Sequence, residues 1–188
     1  SRGIPVWGEV ELAYRTGKGR VLAVTGTNGK TTTTALLGEI MKSACPEVYV
    51  VGNIGNPYTD AALGQSGQAV TVAEISSFQL ETIEQFHPQV SAITNITEDH
   101  LNRHHTMEEY IRVKERIAEN QRGDDVCVLN YEDPVLREFG ERLSCKVVWF
   151  SSSRRLERGI FLKNGAIILR DGERDIPVLE TAGLKLLG

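Results

Sequence analysis

The sequence is poor in several features that mark whole classes of protein. Its three cysteines, Cys45, Cys127 and Cys145, are widely spaced, odd in number and never in a CxxC pair. That argues against a disulfide framework or a thiolate zinc site, and a reducing cytoplasm is the compartment expected. Positive charge is not in excess, since 21 Lys plus Arg face 25 Asp plus Glu for a net charge of −4. Without a basic footprint, nucleic acid is not an expected partner. Apolar residues make up 40% of the chain. Yet runs such as Val21 to Val24 and Val70 to Ile75 fall far short of the roughly 20 residues that span a membrane, so no membrane partner is expected. Internal repeats, low-complexity tracts and heptad runs are also missing. The chain opens Ser1-Arg2-Gly3-Ile4-Pro5 with neither an initiator Met nor a charged-then-apolar leader. The expectation is an unsecreted piece of a longer protein.

What is present is a β/α rhythm over most of 188 residues, a length suited to one domain, expected to be monomeric. Strands are predicted at Val21 to Thr25, Val48 to Val51, Val70 to Ile75, Val90 to Thr94, Val126 to Asn130 and Lys146 to Phe150. Helices are predicted at Lys30 to Ser43, Phe78 to Glu84, Met107 to Gln121 and Pro134 to Arg142. The alternation predicts an α/β fold: a mostly parallel, P-loop NTPase-like sheet flanked by helices, its strands continuous apolar runs because both faces are covered. From Gly159 onward the turn dipeptides Asn164-Gly165 and Asp171-Gly172 predict small antiparallel hairpins, a β appendage beside the main sheet. The organisation expected is an entry segment over 1–19, an α/β core over 20–150 and the β appendage over 151–188.

Directly after the first strong strand comes Gly26-Thr27-Asn28-Gly29-Lys30-Thr31-Thr32, followed by a helix-compatible run. Glycines let a loop turn its N–H groups onto phosphate oxygens, and a helix N-terminus adds a favourable dipole. Lys30 is placed to reach the β- and γ-phosphates and Thr31 to offer a hydroxyl to Mg²⁺. The usual motif carries a Gly five places before the second Gly; Val24 stands there, so this loop is a shortened variant. Asn53, Glu74 and His100 each fall at or just past the carboxyl end of a predicted strand, where open α/β sheets bind ligands. Taken singly, Glu74 is equally an ion-pair partner and His100 a capping or packing residue. Lys114 lies on the apolar stripe of its helix with Met107, Tyr110, Ile111, Ile117 and Ala118. A buried lysine is costly unless paired, neutral or chemically changed, so it either snorkels to solvent or belongs to a site.

The ordered set GTNGKTT, GNIG at 52–55, EISSFQLE at 74–81, NITEDHLNRH at 95–104 and YIRVK at 110–114 resembles the Mur ligases over nearly the whole chain. The SSFQLE segment is more similar to the branch that adds D-glutamate to UDP-N-acetylmuramoyl-L-alanine than to its sister enzymes or to folylpolyglutamate synthetase, which share the loop. The resemblance implies an ATP-dependent amide-forming ligase of peptidoglycan precursor synthesis. By it, Lys30 and Thr31 bind ATP phosphate and Mg²⁺, Glu74 and His100 help hold metal, and Lys114 is the lysine that relatives carry as a carbamate. Asn53, Ser76 and Gln79 face the UDP-muramoyl substrate. The carbamate suits the stripe, because it replaces a buried cation with a metal-binding anion and forms from the neutral amine that burial favours. Asn102 departs from the family, many members of which carry Asp there, so no carboxylate role is assigned to it.

Chemistry of that kind runs in two steps: a substrate carboxylate attacks the γ-phosphate to give an acyl phosphate, and the amine of D-glutamate then displaces phosphate. The first step needs alignment and charge neutralisation more than covalent help. Such ligases are three-domain chains, with uridine nucleotide on the first and amino acid on the last. The ends of this chain, near Gly3-Ile4-Pro5-Val6 and Gly183-Leu184-Lys185-Leu186-Leu187-Gly188, match the exits of the middle one. The chain alone is expected not to ligate and to bind Mg²⁺-nucleotide weakly at most. A P-loop switch or transport ATPase shares the loop but has no use for SSFQLE or a buried Lys114. A non-catalytic relic has no use for Lys30, Thr31, Glu74, His100 and Lys114 together.

Overall fold

A computed structural model of the chain describes residues 6–184. Of the expected boundary segments, Gly3 to Val6 and Gly183 to Gly188, residues 3–5 and 185–188 therefore lie outside the described residues. Six parallel strands form the main body: β1 (Arg20–Thr25), β2 (Val48–Gly52), β3 (Val70–Glu74), β4 (Val90–Ile93), β5 (Val126–Asn130) and β6 (Lys146–Ser151). β7 (Gly159–Lys163), β8 (Ala166–Arg170) and β9 (Asp175–Glu180) complete one nine-stranded sheet in the order β2-β3-β1-β4-β5-β6-β7-β8-β9. The hairpins do not stand apart as a separate layer. β7 pairs parallel to β6 through Phe150 opposite Ile160, and only β8 is reversed, pairing antiparallel with β7 on one side and β9 on the other.

Every residue of β3 is buried, as expected of a strand covered on both faces. Its cover comes from α2 (Lys30–Ala44), which packs on β1 to β3, while α7 (Pro134–Arg142) packs on β5. α7 begins where the sequence predicts, with Pro134 in its first turn and the Asp133 carboxylate accepting the N–H groups of Val135 and Leu136. The remaining helices are α1 (Glu9–Thr16), α3 (Tyr58–Ala62), α4 (Ser77–Leu80), α5 (Leu101–His104) and α6 (Met107–Glu115). α1 falls inside the expected entry segment and packs against α3, burying Val10 and Ala13.

Two helices are shorter than predicted, for a shared reason. The helix expected over Phe78 to Glu84 is the single turn α4, and the one expected from Met107 to Gln121 stops at Glu115 and tightens into a 3₁₀ turn at Arg116–Ala118. The Arg116 guanidinium, at that change of pitch, donates to the carbonyls of Leu80, Glu81 and Ile83 at 2.7 to 2.8 Å. The N–H groups of Glu84, Gln85 and Phe86 go to the Glu11 carboxylate at 2.9 to 3.0 Å. Tertiary partners take the backbone groups that a longer helix would use.

The order places β1 between β3 and β4, so chain direction across the sheet reverses there. Val24 lies in register with Glu74 on one side and Ala92 on the other, and Gly52 with Glu74. The carboxyl ends of β1 to β4 therefore open on one crevice, at the switch point where such sheets bind ligands.

Candidate functional site

The phosphate loop leaves β1 at Gly26 and enters α2 through Gly29, whose φ of 80° is left-handed and costs a residue without a Cβ little. Gly26 has φ 142°, and a Cβ there would collide with the Thr94 hydroxyl. Thr27 and Asn28 are strapped to the segment following β4. Thr27 N–H donates to Asn95 O at 2.9 Å, and Asn28 N–H donates to Asn95 Oδ1 at 2.9 Å. Asn28 O accepts from Thr94 Oγ1 at 2.7 Å and from Asn95 Nδ2 at 3.0 Å. The Thr27 hydroxyl donates to Thr97 O at 3.1 Å and accepts from Thr97 N–H at 3.0 Å. Its one proton is thereby used, so the buried Tyr110 hydroxyl, 3.1 Å away, is the donor in their contact. Thr31 and Thr32 stand exposed on the first turn of α2, where the helix dipole favours an anion.

Two lysines close on the inner side of the same loop. Lys30 Nζ donates to Thr27 O at 2.9 Å, and Lys114 Nζ, from α6, donates to Gly26 O at 2.8 Å. Lys114 is 2% exposed and its Nζ lies 4.8 Å from the Tyr110 ring centre. Burial, and then the neighbouring Lys30 charge, push its pKa down to about 7. The residue sits on the buried stripe that the helical spacing indicated, and it does not snorkel out. Two amines on consecutive carbonyls, beside a helix N-terminus, make a positive hollow that an anion would fill.

Lys30, Lys114, Asn53, Ser76 and His100 line one cavity of about 240 Å³, with Ser77, Phe78 and Tyr110 completing its wall. Glu74 joins it through Asn53, whose Nδ2 donates to Glu74 Oε1 at 2.9 Å. Glu74 is 1% exposed and its Oε2 has no hydrogen-bond partner, an orphaned buried oxygen of the kind that calls for an explanation. Ser76 and Gln79 form a reciprocal cap on α4: Gln79 Oε1 accepts the Ser76 N–H and O–H at 2.9 Å each, and Gln79 N–H reaches Ser76 Oγ at 3.3 Å. Gln79 thus stands behind Ser76 with its oxygen committed to the backbone. His100 occupies a left-handed backbone conformation, φ 52°, and holds its ring 5.2 Å from that of Phe78.

Several residues of the cavity wall and loop carry little signal in the sequence. His104 is buried, bonded to Ser77 Oγ at 3.0 Å and stacked on Phe78; burial pushes its pKa down while Glu81 pulls it up. Tyr110 counted only as a member of the apolar stripe, and its reach to Thr27 across 83 residues has no local signal. Asn95, just past β4, had the positional signal that singled out Asn53 and His100. A larger hollow of about 610 Å³ lies at the opposite, amino end of β1, but its Arg15 is already spent on Glu11 at 2.6 Å and Glu84 at 2.9 Å.

Among the described residues no cluster of three or more His, Cys, Asp and Glu side chains has metal-binding spacing. The donors available to a cation are the orphaned Glu74 oxygen, a threonine hydroxyl and an exposed imidazole. That set fits Mg²⁺, which takes one or two carboxylates and leaves the rest to phosphates and water.

A family model described as Mur ligase middle domain matches residues 24–173. The chain is 56% identical over its whole length to UDP-N-acetylmuramoylalanine-D-glutamate ligase of Lachnoclostridium phytofermentans and 47% identical to that of Alkaliphilus metalliredigens. It spans 41% of the length of each. Among solved structures, MurF ligase from Thermotoga maritima in complex with ADP superposes with a TM-score of 0.65 at 22% identity, covering 90% of this chain and 43% of that one. A UDP-N-acetylmuramoyl-L-alanyl-D-glutamate-2,6-diaminopimelate ligase superposes at 0.62 and 22% over 90% of this chain and 41% of its own. At that identity the structural likeness establishes the fold.

Proposed function

This chain belongs to the Mur ligase middle-domain family, and from that premise we propose that it is the ATP-binding, carboxylate-activating part of a ligase joining D-glutamate to UDP-N-acetylmuramoyl-L-alanine. The substrates follow the names of relatives up to 56% identical to it. The observation that carries the ATP site is the pair of lysines on the Gly26 and Thr27 carbonyls beside the N-terminus of a 15-residue helix.

In this reading the N–H groups of Gly29 to Thr32 cradle the phosphates and Lys30 swings from Thr27 O to the γ-phosphate. Thr31, Glu74 and His100 hold Mg²⁺, which when bound neutralises charge between the phosphates and the incoming carboxylate. Asn53 turns its amide between Glu74 and the muramoyl substrate. Ser76 presents the wall of the cavity, and Gln79 fixes Ser76. Lys114, neutral in a good fraction of molecules near pH 7, attacks CO₂ as the free amine: an N–C bond forms, one C=O π pair shifts to oxygen, the amine proton passes to water, and the resulting carbamate would offer a further oxygen to the metal. The alignment of carboxylate and γ-phosphate is the main contribution of the chain to acyl phosphate formation. The D-glutamate and uridine sites belong to other parts of the longer relatives, so the chain alone does not ligate. We place it as a monomer in the cytoplasm, a reducing compartment in keeping with its free cysteines.

Titration of the chain with ADP and Mg²⁺ tests the loop. Saturable binding that Lys30→Ala weakens by about 30-fold or more is expected, since a charge-assisted phosphate contact is lost. Equal affinity in the variant would sink the assignment.

A further inference from the structure

The phosphate loop is held in shape by a side chain that lies outside it. Asn95, two residues beyond β4, pairs with the backbone of Asn28 in both directions, Oδ1 accepting its N–H at 2.9 Å and Nδ2 donating to its carbonyl at 3.0 Å. Its own carbonyl accepts the Thr27 N–H at 2.9 Å. We propose that Asn95 is a positioning residue that clamps the shortened phosphate loop in its phosphate-accepting shape before nucleotide arrives. This rests on the nucleotide-binding reading above and adds to it the device that preforms the site.

The chemistry of the contact selects asparagine. One planar group must present an acceptor and a donor side by side to match a peptide N–H and C=O. Aspartate lacks the donor and sets a carboxylate against the Asn28 carbonyl, close to where phosphate charge arrives. Alanine leaves the Asn28 N–H to water and its carbonyl to the Thr94 hydroxyl alone, and the loop regains freedom that binding must then remove. The shortened loop explains why an outside clamp is used. With Val24 where the usual motif has its first Gly, fewer loop residues are available to close the turn with their own backbone, and the end of the neighbouring strand supplies the missing bonds. Gly26 fits the same picture, since any Cβ there would meet Thr94, which packs on the loop beside Asn95. Because Asn95 consumes the Asn28 N–H, the phosphate cradle is confined to Gly29 through Thr32. Asn95 does not touch the reacting atoms; it acts through Asn28.

Two measurements on the chain with Asn95→Ala and Asn95→Asp test this: amide hydrogen exchange at Asn28 without nucleotide, and affinity for ADP with Mg²⁺. In the unaltered chain the Asn28 amide is expected to be protected, while Gly29 to Thr32 exchange fast until ADP is added. Asn95→Ala should bring Asn28 to the fast rate and weaken ADP binding by about tenfold or more, with the thermal midpoint almost unmoved because the contact is at the surface. Asn95→Asp should keep Asn28 protected, through its remaining acceptor, and still lose affinity. Asn95→Ala that binds ADP within about twofold of the unaltered chain, or that leaves Asn28 protected, overturns the clamp. Absence of ADP binding in the unaltered chain overturns the nucleotide reading instead, and exchange at Asn28 then decides the clamp by itself.

Discussion

Two buried carboxylates, one on each side of this sheet, are treated in opposite ways. Glu11, 0% exposed, lies towards the amino ends of the strands, where every demand of its carboxylate is met. Burial pushes its pKa up, but the N–H groups of Glu84, Gln85 and Phe86 and the Arg15 guanidinium outweigh this and hold it below the usual carboxylate range. Glu74, equally buried at the carboxyl ends, has one oxygen bonded to Asn53 and the other to nothing. The amines follow suit: Arg15 is paired twice, whereas Lys30 and Lys114 converge without a carboxylate between them. The amino side is finished as a scaffold. The carboxyl side is left with unpaired amines and an orphaned carboxylate oxygen, which suits the polyanion and cation site proposed for it.

The sharpest way to break the contrast is to remove Glu11. Glu11→Ala takes the acceptor from three N–H groups, that of Phe86 buried, and one of two partners from the Arg15 guanidinium, and a loss of about 2–4 kcal/mol in urea unfolding is expected. The contribution of Glu11 is fully present above the unfolded carboxylate pKa and disappears as pH falls through the depressed folded value, so the variant and the unaltered chain should converge in acid. A smaller effect of opposite sign is expected at the site. Lys114→Met should abolish any carbamate yet raise stability by about 1–3 kcal/mol at pH 7, because it removes a buried amine. The sign follows from a folded pKa of about 7 below an unfolded one of about 10.4. The unfolded chain binds the extra proton between these values, so the unaltered chain gains stability as pH rises through that window, and the advantage of the variant should shrink from pH 7 towards pH 10. A gap that widens with pH would contradict the buried-amine account.

The same contrast separates what was legible in the sequence from what was not. Strand positions, α7 with its Asp133 and Pro134 start, and the Lys30 end of α2 were readable because local propensity and burial agree there. The convergence of Asn53 and His100 on the loop followed from a single rule, that strand carboxyl ends share one edge, whereas Lys114 was marked by its place on a buried helical stripe. The failures trace to partners distant in sequence. The helix expected to Glu84 lost its backbone groups to Glu11 and Arg116. Asn95 and Tyr110 went unread because a clamp across more than 60 residues has no period, although Asn95 stood at a strand end where a polar residue merits suspicion.

The central claim, that the carboxyl edge is an open phosphate and metal site, is tested most directly at the orphaned oxygen of Glu74. Electron paramagnetic resonance of Mn²⁺ with ADP, as a probe for Mg²⁺, should show bound metal in the unaltered chain. It should show at least about tenfold weaker binding in Glu74→Gln, with stability within about 1 kcal/mol of the unaltered chain. Equal Mn²⁺ binding by Glu74→Gln, or a collapse in stability like that expected of Glu11→Ala, would contradict it.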